Sequence, residues 1–294
     1  MVGRAHFDPQ IVKVCTQLEL GFPVALCNLS SMLTISPTDR VFILAGAGVS
    51  AESGIPTFRG MGGLWRSYRI EEVASPDAWH HDPRLVWEFY SMRRRVASAA
   101  KPNPAHFALA RLENMLQERL FVCTQNVDNL HEQAGSRNVV HLHGELFKSR
   151  CDSCILPPFD DTNLWEPPAD IPRCTCGGRI RPHICWFGEV PFELERIYEA
   201  LDACTVFIAV GTSGVVEPAA SFVAEVAGRA RTIYVGPENP TNALSFTECY
   251  LGKAAEVLHL SEAMLFLLTS SDGGRTSLSI AMSPSTFGAQ TDKG

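Results

Sequence analysis

No apolar run in this 294-residue chain approaches the roughly 20 residues that a membrane span requires, so no membrane partner is expected. The opening MVGRAHFDPQIVKVC lacks a cationic segment leading into an apolar one, and no secretory leader is expected. It is not clearly rich in Arg and poor in acids either, which leaves an organelle transit peptide unsupported. Cytoplasmic placement is expected, with a mitochondrial one left open. Positive charge is scarce: 25 Lys and Arg against 32 Asp and Glu give a formal net charge of −7. This argues against general affinity for nucleic acid, which needs a broad basic surface, and no nucleic-acid partner is expected. What the chain does have is ordinary for a globular protein, with 46% hydrophobic and 19% charged residues. The length suits one large domain carrying a small insert.

Short runs rich in Val, Ile and Leu recur between helical patterns. They are VFILAG from Val41, LFVCTQN from Leu120, VVHLHG from Val139, TVFIAVGT from Thr205, TIYVG from Thr232 and EVLHL from Glu256. Continuous apolar strands alternating with helices predict an α/β fold, a parallel sheet with helices on both faces. Ligands of such sheets bind at the carboxyl ends of the strands. Two stretches interrupt the alternation, 60–101 and 148–182, and read as insertions forming a smaller lobe. The second reads as having neither strand nor helix period. That leaves 37–59, 102–147 and 183–268 as a discontinuous Rossmann-like domain. Residues 1–36 form an N-terminal extension, with a helix expected over roughly Asp8 to Leu20. The Ser-, Gly- and Thr-rich tail 269–294 is expected to be disordered.

VFILA runs into Gly46-Ala47-Gly48-Val49-Ser50-Ala51, which fits G-x-G-x-x-G/A directly after a strand. Glycine lets the backbone turn tightly and approach a pyrophosphate, and the N–H groups that follow face the anion. A tight structural turn is the competing reading. Ser53-Gly54-Ile55-Pro56 ends any helix after about a turn and a half, because Gly and Pro both disfavour continuation. No acidic residue closes a second strand about 20 residues on, so the usual ribose clamp is missing. Thr57-Phe58-Arg59-Gly60 reads as a flexible loop over the bound nucleotide.

Of ten cysteines, six are scattered, several within apolar runs, and read as thiols in a reducing compartment. The other four form Cys151-x-x-Cys154 and Cys174-x-Cys176 within a Pro- and Asp-rich segment. Two close thiolate pairs on a loop-rich module indicate a closed structural Zn2+ site with no open position for catalysis. The second pair is unusually tight, so a different fourth ligand, a disulfide pair or a lost metal stay open as alternatives.

Five segments, GAGVSAESGIPTFRG, TQNVDNLHEQAG, HGELFKSRC, WFGE and GTSGVVEPA, occur in this order. In them the chain resembles the sirtuin family of NAD-dependent protein deacylases, from about Val41 to Leu260. The resemblance implies a Rossmann domain, a zinc lobe, and a cleft between them for NAD and substrate. It places Gly46, Ala47, Gly48, Ala51, Phe58, Arg59, Gln125, Asn126, Asp128, Gly211, Thr212, Ser213 and Ala254 against NAD, and makes His143 the catalytic base. Phe187, Gly188, Glu189, Val215 and Val216 correspond to strands that sandwich an extended substrate peptide by main-chain pairing. NAD is consumed, and the products implied are free lysine, nicotinamide and O-acyl-ADP-ribose. Acylated lysine side chains of proteins are the partners, and a monomer is expected. The local residues have their own logic. Asn126 and Asp128 alternate with Val127 just past a strand end, so both can face a cleft, although turn capping is the bland alternative. His141 lies on the same strand face as His143 and shows that a His here is not automatically catalytic. The chain departs from the family at Gly236, where an Asn that contacts the adenosine ribose is usual.

An acidic protein that carries Arg93-Arg94-Arg95 needs a reason for the cluster. At about 100° per residue, Leu85, Phe89, Met92 and Val96 form a buried face, with Tyr90 and Arg93 neighbours on its flank. Arg94 and Arg95 point away and read as solvated. In the desuccinylase and demalonylase branch that the chain resembles, a Tyr-x-x-Arg pair lines the acyl pocket and holds a terminal carboxylate. Guanidinium suits that role because it stays charged and grips a carboxylate with two parallel hydrogen bonds. Succinyl-, malonyl- or glutaryl-lysine is therefore expected to be preferred over acetyl-lysine. Plain deacetylation, mono-ADP-ribosyl transfer and a non-catalytic NAD-responsive binding module are the competing functions.

Overall fold

The computed structural model describes residues 32–57, 64–65, 68–166, 169–258 and 278–281. Phe58, Arg59 and the helix expected over Asp8 to Leu20 lie outside them. The main sheet has six parallel strands in the order Glu248–Leu251, Arg231–Gly236, Val206–Val210, Val41–Ala45, Leu120–Thr124, Val139–His141. In chain order this is the doubly wound arrangement, with its reversal between Val41–Ala45 and Val206–Val210. The strands are apolar throughout because both faces are covered. Val41, Ile43 and Ala45 pack into one core with Ile208 and Leu109, and Phe42 and Leu44 into another with Phe207 and Phe222.

One expected strand is in a different place. The sixth strand is Glu248–Leu251, and Ala254–Val257 is helical. Ala-Ala-Glu suits a helix, whereas Glu248–Leu251 is an edge strand of mixed exposure whose ECYL lacks a clean apolar run.

The region 148–182 is also more ordered at its margins than its composition suggests. Gly144–Cys151 pairs antiparallel with Phe159–Asp160 and with Ile180–Ile184. The two longer strands begin or end at the flanks of the cysteine segment, so their apolar residues fall largely outside it. In the tail, Leu278–Ala281 pairs antiparallel with Met32–Ile35, contrary to an expectation drawn from Ser and Gly content alone. Leu278 and Ile280 supply local β-forming residues that the overall composition hides.

The other insertion is helical: Ile70–Val73, Pro76–His81 and Pro83–Ala99. Asp82 caps the long helix by accepting from the Arg84 and Leu85 N–H groups, and Pro83 fits its first turn. This helix packs on Gly144–Cys151 and Ile180–Ile184 through Trp87, Phe89 and Tyr90, forming a third core with Trp79, Leu146 and Trp186. Among the described residues, no helix is long and apolar enough to cross a membrane.

Candidate active site and zinc centre

Two loops meet at the reversal of the sheet. Gly46 donates to Val210 O at 2.9 Å, and Gly48 donates to Gly211 O at 2.8 Å. A Cβ on Gly46 would stand 2.7 Å from Gly211 O, and one on Gly48 2.7 Å from Gly211 Cα. These glycines are required by contact between the loops as well as by the turn. Helix Ala47–Ala51 stops after five residues, and Gly54 follows at φ +84°. Asn103, the N-cap of helix Pro104–Leu116, fastens this turn by donating to Val49 O at 2.7 Å and Ser53 Oγ at 3.0 Å.

A cavity of about 820 Å³ opens along these loops. Gly46, Ala47, Gly48, Ala51, Gln125, Asn126, Asp128, Gly211, Thr212, Ser213 and Ala254 line it on the sheet side. His143, Tyr90, Arg93, Phe187, Gly188, Glu189 and Val216 also line it. Val215 is exposed and does not line the cavity. The segments around Phe187 and Val216 are turns and bends rather than strands. Gly188 takes φ +90° and closes a turn in which Glu189 N donates to Trp186 O at 2.9 Å. The Glu189 side chain serves the lobe itself, receiving Arg181 at 2.6 and 2.8 Å and the Trp186 N–H at 2.8 Å.

The polar residues around the cavity are held firmly. Asn126 Nδ2 donates to Ser50 Oγ at 3.0 Å, and Gln125 Nε2 donates to Thr212 Oγ1 at 3.1 Å. Asp128 accepts the Leu130 N–H at 3.1 Å. Its burial pushes the carboxyl above the ordinary range, against the hydrogen bonds that favour the anion. His143 Nδ1 lies 3.1 Å from Gln125 O, which makes Nδ1 the protonated nitrogen of the neutral ring and leaves Nε2 able to accept a proton. Burial lowers its pKa. His141 is the satisfied histidine of the pair, with Asn126 O at 2.9 Å and Glu132 Oε1 at 2.8 Å. Burial pulls its pKa down, and Glu132 outweighs this and holds it above the ordinary value.

The arginine run divides differently from expectation. Arg93 borders the cavity beside the buried Tyr90, with its guanidinium carbon 5.5 Å from the Tyr90 ring centroid. Burial lowers the Arg93 pKa to about 10, which leaves it cationic at neutral pH. Arg95 is exposed and pairs with Glu166. Arg94, expected in water, is fully buried. It donates to Leu146 O at 2.8 Å, Asn163 O at 2.6 Å and Asp161 Oδ2 at 3.1 Å. Trp87, Ser91 and Arg94 share one helix face, and the long helix is covered on that face too.

Ser50, His106 and Trp186 are the residues that sequence reasoning passed over. Ser50 Oγ lies 3.4 Å from His106 Nε2, behind Asn126. Burial lowers the His106 pKa to about 3. Ser50 and Trp186 stand inside the quoted motifs, and His106 had no signal beyond an apolar helix face. At the strand end that departs from the family, the Tyr234 hydroxyl donates to Thr212 O at 3.1 Å and fills the space a Cβ on Gly236 would need.

The four clustered cysteines converge, with all sulfurs within 4.8 Å of one another. Cys151 and Cys176 are 3.5 Å apart, and Cys154 and Cys174 3.7 Å. A tetrahedral zinc with Zn–S near ~2.3 Å sets its sulfurs roughly 3.8 Å apart, so the set fits that ion. Cys176 is exposed at the rim and Cys151 buried, so the site joins the loop to the lobe core.

The Sir2 family model matches residues 46–218. An NAD-dependent protein deacylase of Vibrio cholerae is 46% identical over 240 residues, covering 78% of this chain and 94% of that protein. One of Caulobacter vibrioides is 47% identical over 223 residues, covering 74% and 93%. Among solved structures, a Sir2 homolog–NAD complex aligns with TM-score 0.70 at 43% identity, covering 76% of this chain and 89% of that one. A Sir2 homologue complexed with ADP-ribose aligns with TM-score 0.69 at 44% identity, covering 74% and 88%. The paired glycine loops, the His143 cleft and the four-cysteine lobe thus occur in a chain that belongs to the Sir2 family.

Proposed function

We propose that this protein is an NAD-dependent protein-lysine deacylase that prefers acyl groups ending in a carboxylate. The carrying observation is that one cavity is lined both by the Gly46 and Gly211 loops and by Tyr90 and Arg93. Its volume of about 820 Å³ suits a dinucleotide together with an acyl-lysine side chain. The lining also fits NAD, with Gln125, Asn126, Asp128 and Ser213 placed to meet hydroxyl and amide groups. NAD supplies the ribose that accepts the acyl group and the nicotinamide that leaves. Asn126 and Asp128, fixed by Ser50 and the Leu130 N–H, orient what binds beside them. His143 Nε2 removes a hydroxyl proton, as its neutral form at working pH permits. Phe187, Gly188 and Val216 offer the walls between which a peptide backbone lies, with little demand on its sequence.

Arg93 supports the finer reading. A guanidinium on the cavity lining can grip a terminal carboxylate with two parallel hydrogen bonds, which an acetyl group has no atoms to use. Tyr90 and Asp128 favour its charged form against the burial. A substrate carboxylate meets Arg93 and the Tyr90 hydroxyl together.

The test is incubation with NAD and acetyl-, succinyl-, malonyl- and glutaryl-lysine peptides of one sequence, with products followed by mass spectrometry. The expected result is NAD-dependent acyl loss, fastest for the acidic acyl groups, with O-acyl-ADP-ribose formed in equal amount. Absence of acyl loss from all four removes the deacylase reading, and fastest loss of acetyl removes the acidic preference alone.

A further inference from the structure

The Tyr90 hydroxyl is buried in the wall of the acyl pocket, and Trp186 Nε1 donates to it at 3.0 Å. The Arg93 guanidinium is its other hydrogen-bond neighbour. Both are donor-only groups at neutral pH. A phenol oxygen that receives two N–H groups has its own proton left to give, and these two neighbours offer no acceptor for it. The direction of the O–H is thus set by where its lone pairs are already engaged. We infer that Trp186 is a positioning residue for acyl-group selection: its indole N–H holds the Tyr90 hydroxyl as a donor aimed at the carboxylate of an acidic acyl group. The inference rests on the acidic-acyl reading of the same cavity.

Trp186 is built to hold that direction. Its ring is buried, and the Arg181 guanidinium carbon lies 3.3 Å from the ring centroid. Arg181 is gripped by both Glu189 oxygens, and Glu189 Oε2 also accepts the Trp186 backbone N–H at 2.8 Å. The Trp79 ring packs against the indole with centroids 5.8 Å apart. Trp186 directly precedes Phe187, which lines the cavity where the peptide would lie. Peptide wall and acyl pocket are therefore joined through one side chain. An acetyl group has no acceptor beyond its amide and gains nothing from this arrangement. A carboxylate gains a third donor beside the two of the guanidinium fork.

Trp186→Phe keeps an aromatic ring and deletes the N–H. Measured with succinyl- and acetyl-lysine peptides of one sequence, it is expected to lower the succinyl-to-acetyl ratio of kcat/KM about five- to tenfold, chiefly through KM. In a Tyr90→Phe background the same change should shift that ratio by less than about twofold, because the oxygen it acts on is gone. Equal losses on both peptides, or an undiminished shift in the Tyr90→Phe background, overturn the assignment. A second measurement avoids any folding defect of the Trp variant. In the otherwise unaltered protein the Trp186 indole N–H resonance should shift on Tyr90→Phe, and a signal that does not move overturns the contact. A parent protein that prefers acetyl-lysine removes the acidic-acyl reading and this inference together. A parent that prefers succinyl-lysine, with Trp186→Phe silent, removes Trp186 alone.

Discussion

Arg94 donates to Asp161 at 3.1 Å, with 0% of one side chain and 2% of the other open to solvent. The pair fastens the helix that carries Tyr90 and Arg93 to the segment leading away from Gly144–Cys151. Burial alone would raise the Asp161 carboxyl, and Ser149 with Arg94 outweighs it and holds the group below its usual range. Arg94→Met leaves that carboxylate buried without its cation. The expected loss of stability is about 3 to 5 kcal/mol, read from urea unfolding. Adding Asp161→Asn to Arg94→Met should restore part of the loss, since no lone buried charge then remains.

Arg93 sits one residue away and borders the cavity instead. Arg93→Met is expected to lower kcat/KM for a succinyl-lysine peptide roughly tenfold to a hundredfold, the scale of a lost charge-assisted hydrogen bond. Acetyl-lysine turnover should change several-fold less. Steady-state kinetics on matched peptides decides this, and equal loss on both would deny Arg93 a role in choosing the acyl group.

The base role proposed for His143 requires a neutral ring. Its pKa is lowered by burial, with the Gln125 carbonyl opposing. The protonated form therefore takes over only below the ordinary histidine value of ~6.5. The pH profile of kcat/KM should rise with pH through a midpoint below that value and be level by neutrality. His143→Ala should remove turnover by about a hundredfold or more while leaving the thermal melt in place. Activity that survives the substitution would move the base elsewhere.

Removing zinc tests the cysteine lobe. Metal analysis should give one ion per chain, and a strong chelator should lower near-ultraviolet dichroism from the tryptophan-rich lobe together with deacylation. The main sheet has its own two cores, so most far-ultraviolet signal should persist. Cys176→Ser should shed metal more readily than the parent. A protein that binds no metal, or keeps full activity after metal loss, contradicts the structural role.

The sequence made the main sheet legible because a parallel strand covered on both faces leaves an unbroken apolar run, as at Val41–Ala45 and Val206–Val210. The edge strand Glu248–Leu251 has no such run, whereas EVLHL from Glu256 does, although it begins inside the helix Ala254–Val257. Ordered motifs brought out the glycine loops, the Asn126 segment, His143 and the cysteines. Arg94 was misread because its justification, Asp161, lies 67 residues away. A helix pattern records one buried face, and this helix has cover on a further face. The turn at Gly188 was likewise hidden, since a strand and a tight turn present the same WFGE to a reader without backbone angles.

The Tyr234 hydroxyl occupying the space beside Gly236 couples the two positions. A side chain at position 236 must displace the phenol, and displacing it releases the Thr212 carbonyl. A substitution at Gly236 is therefore felt on the Thr212 loop through Tyr234, and scoring position 236 alone misses that cost.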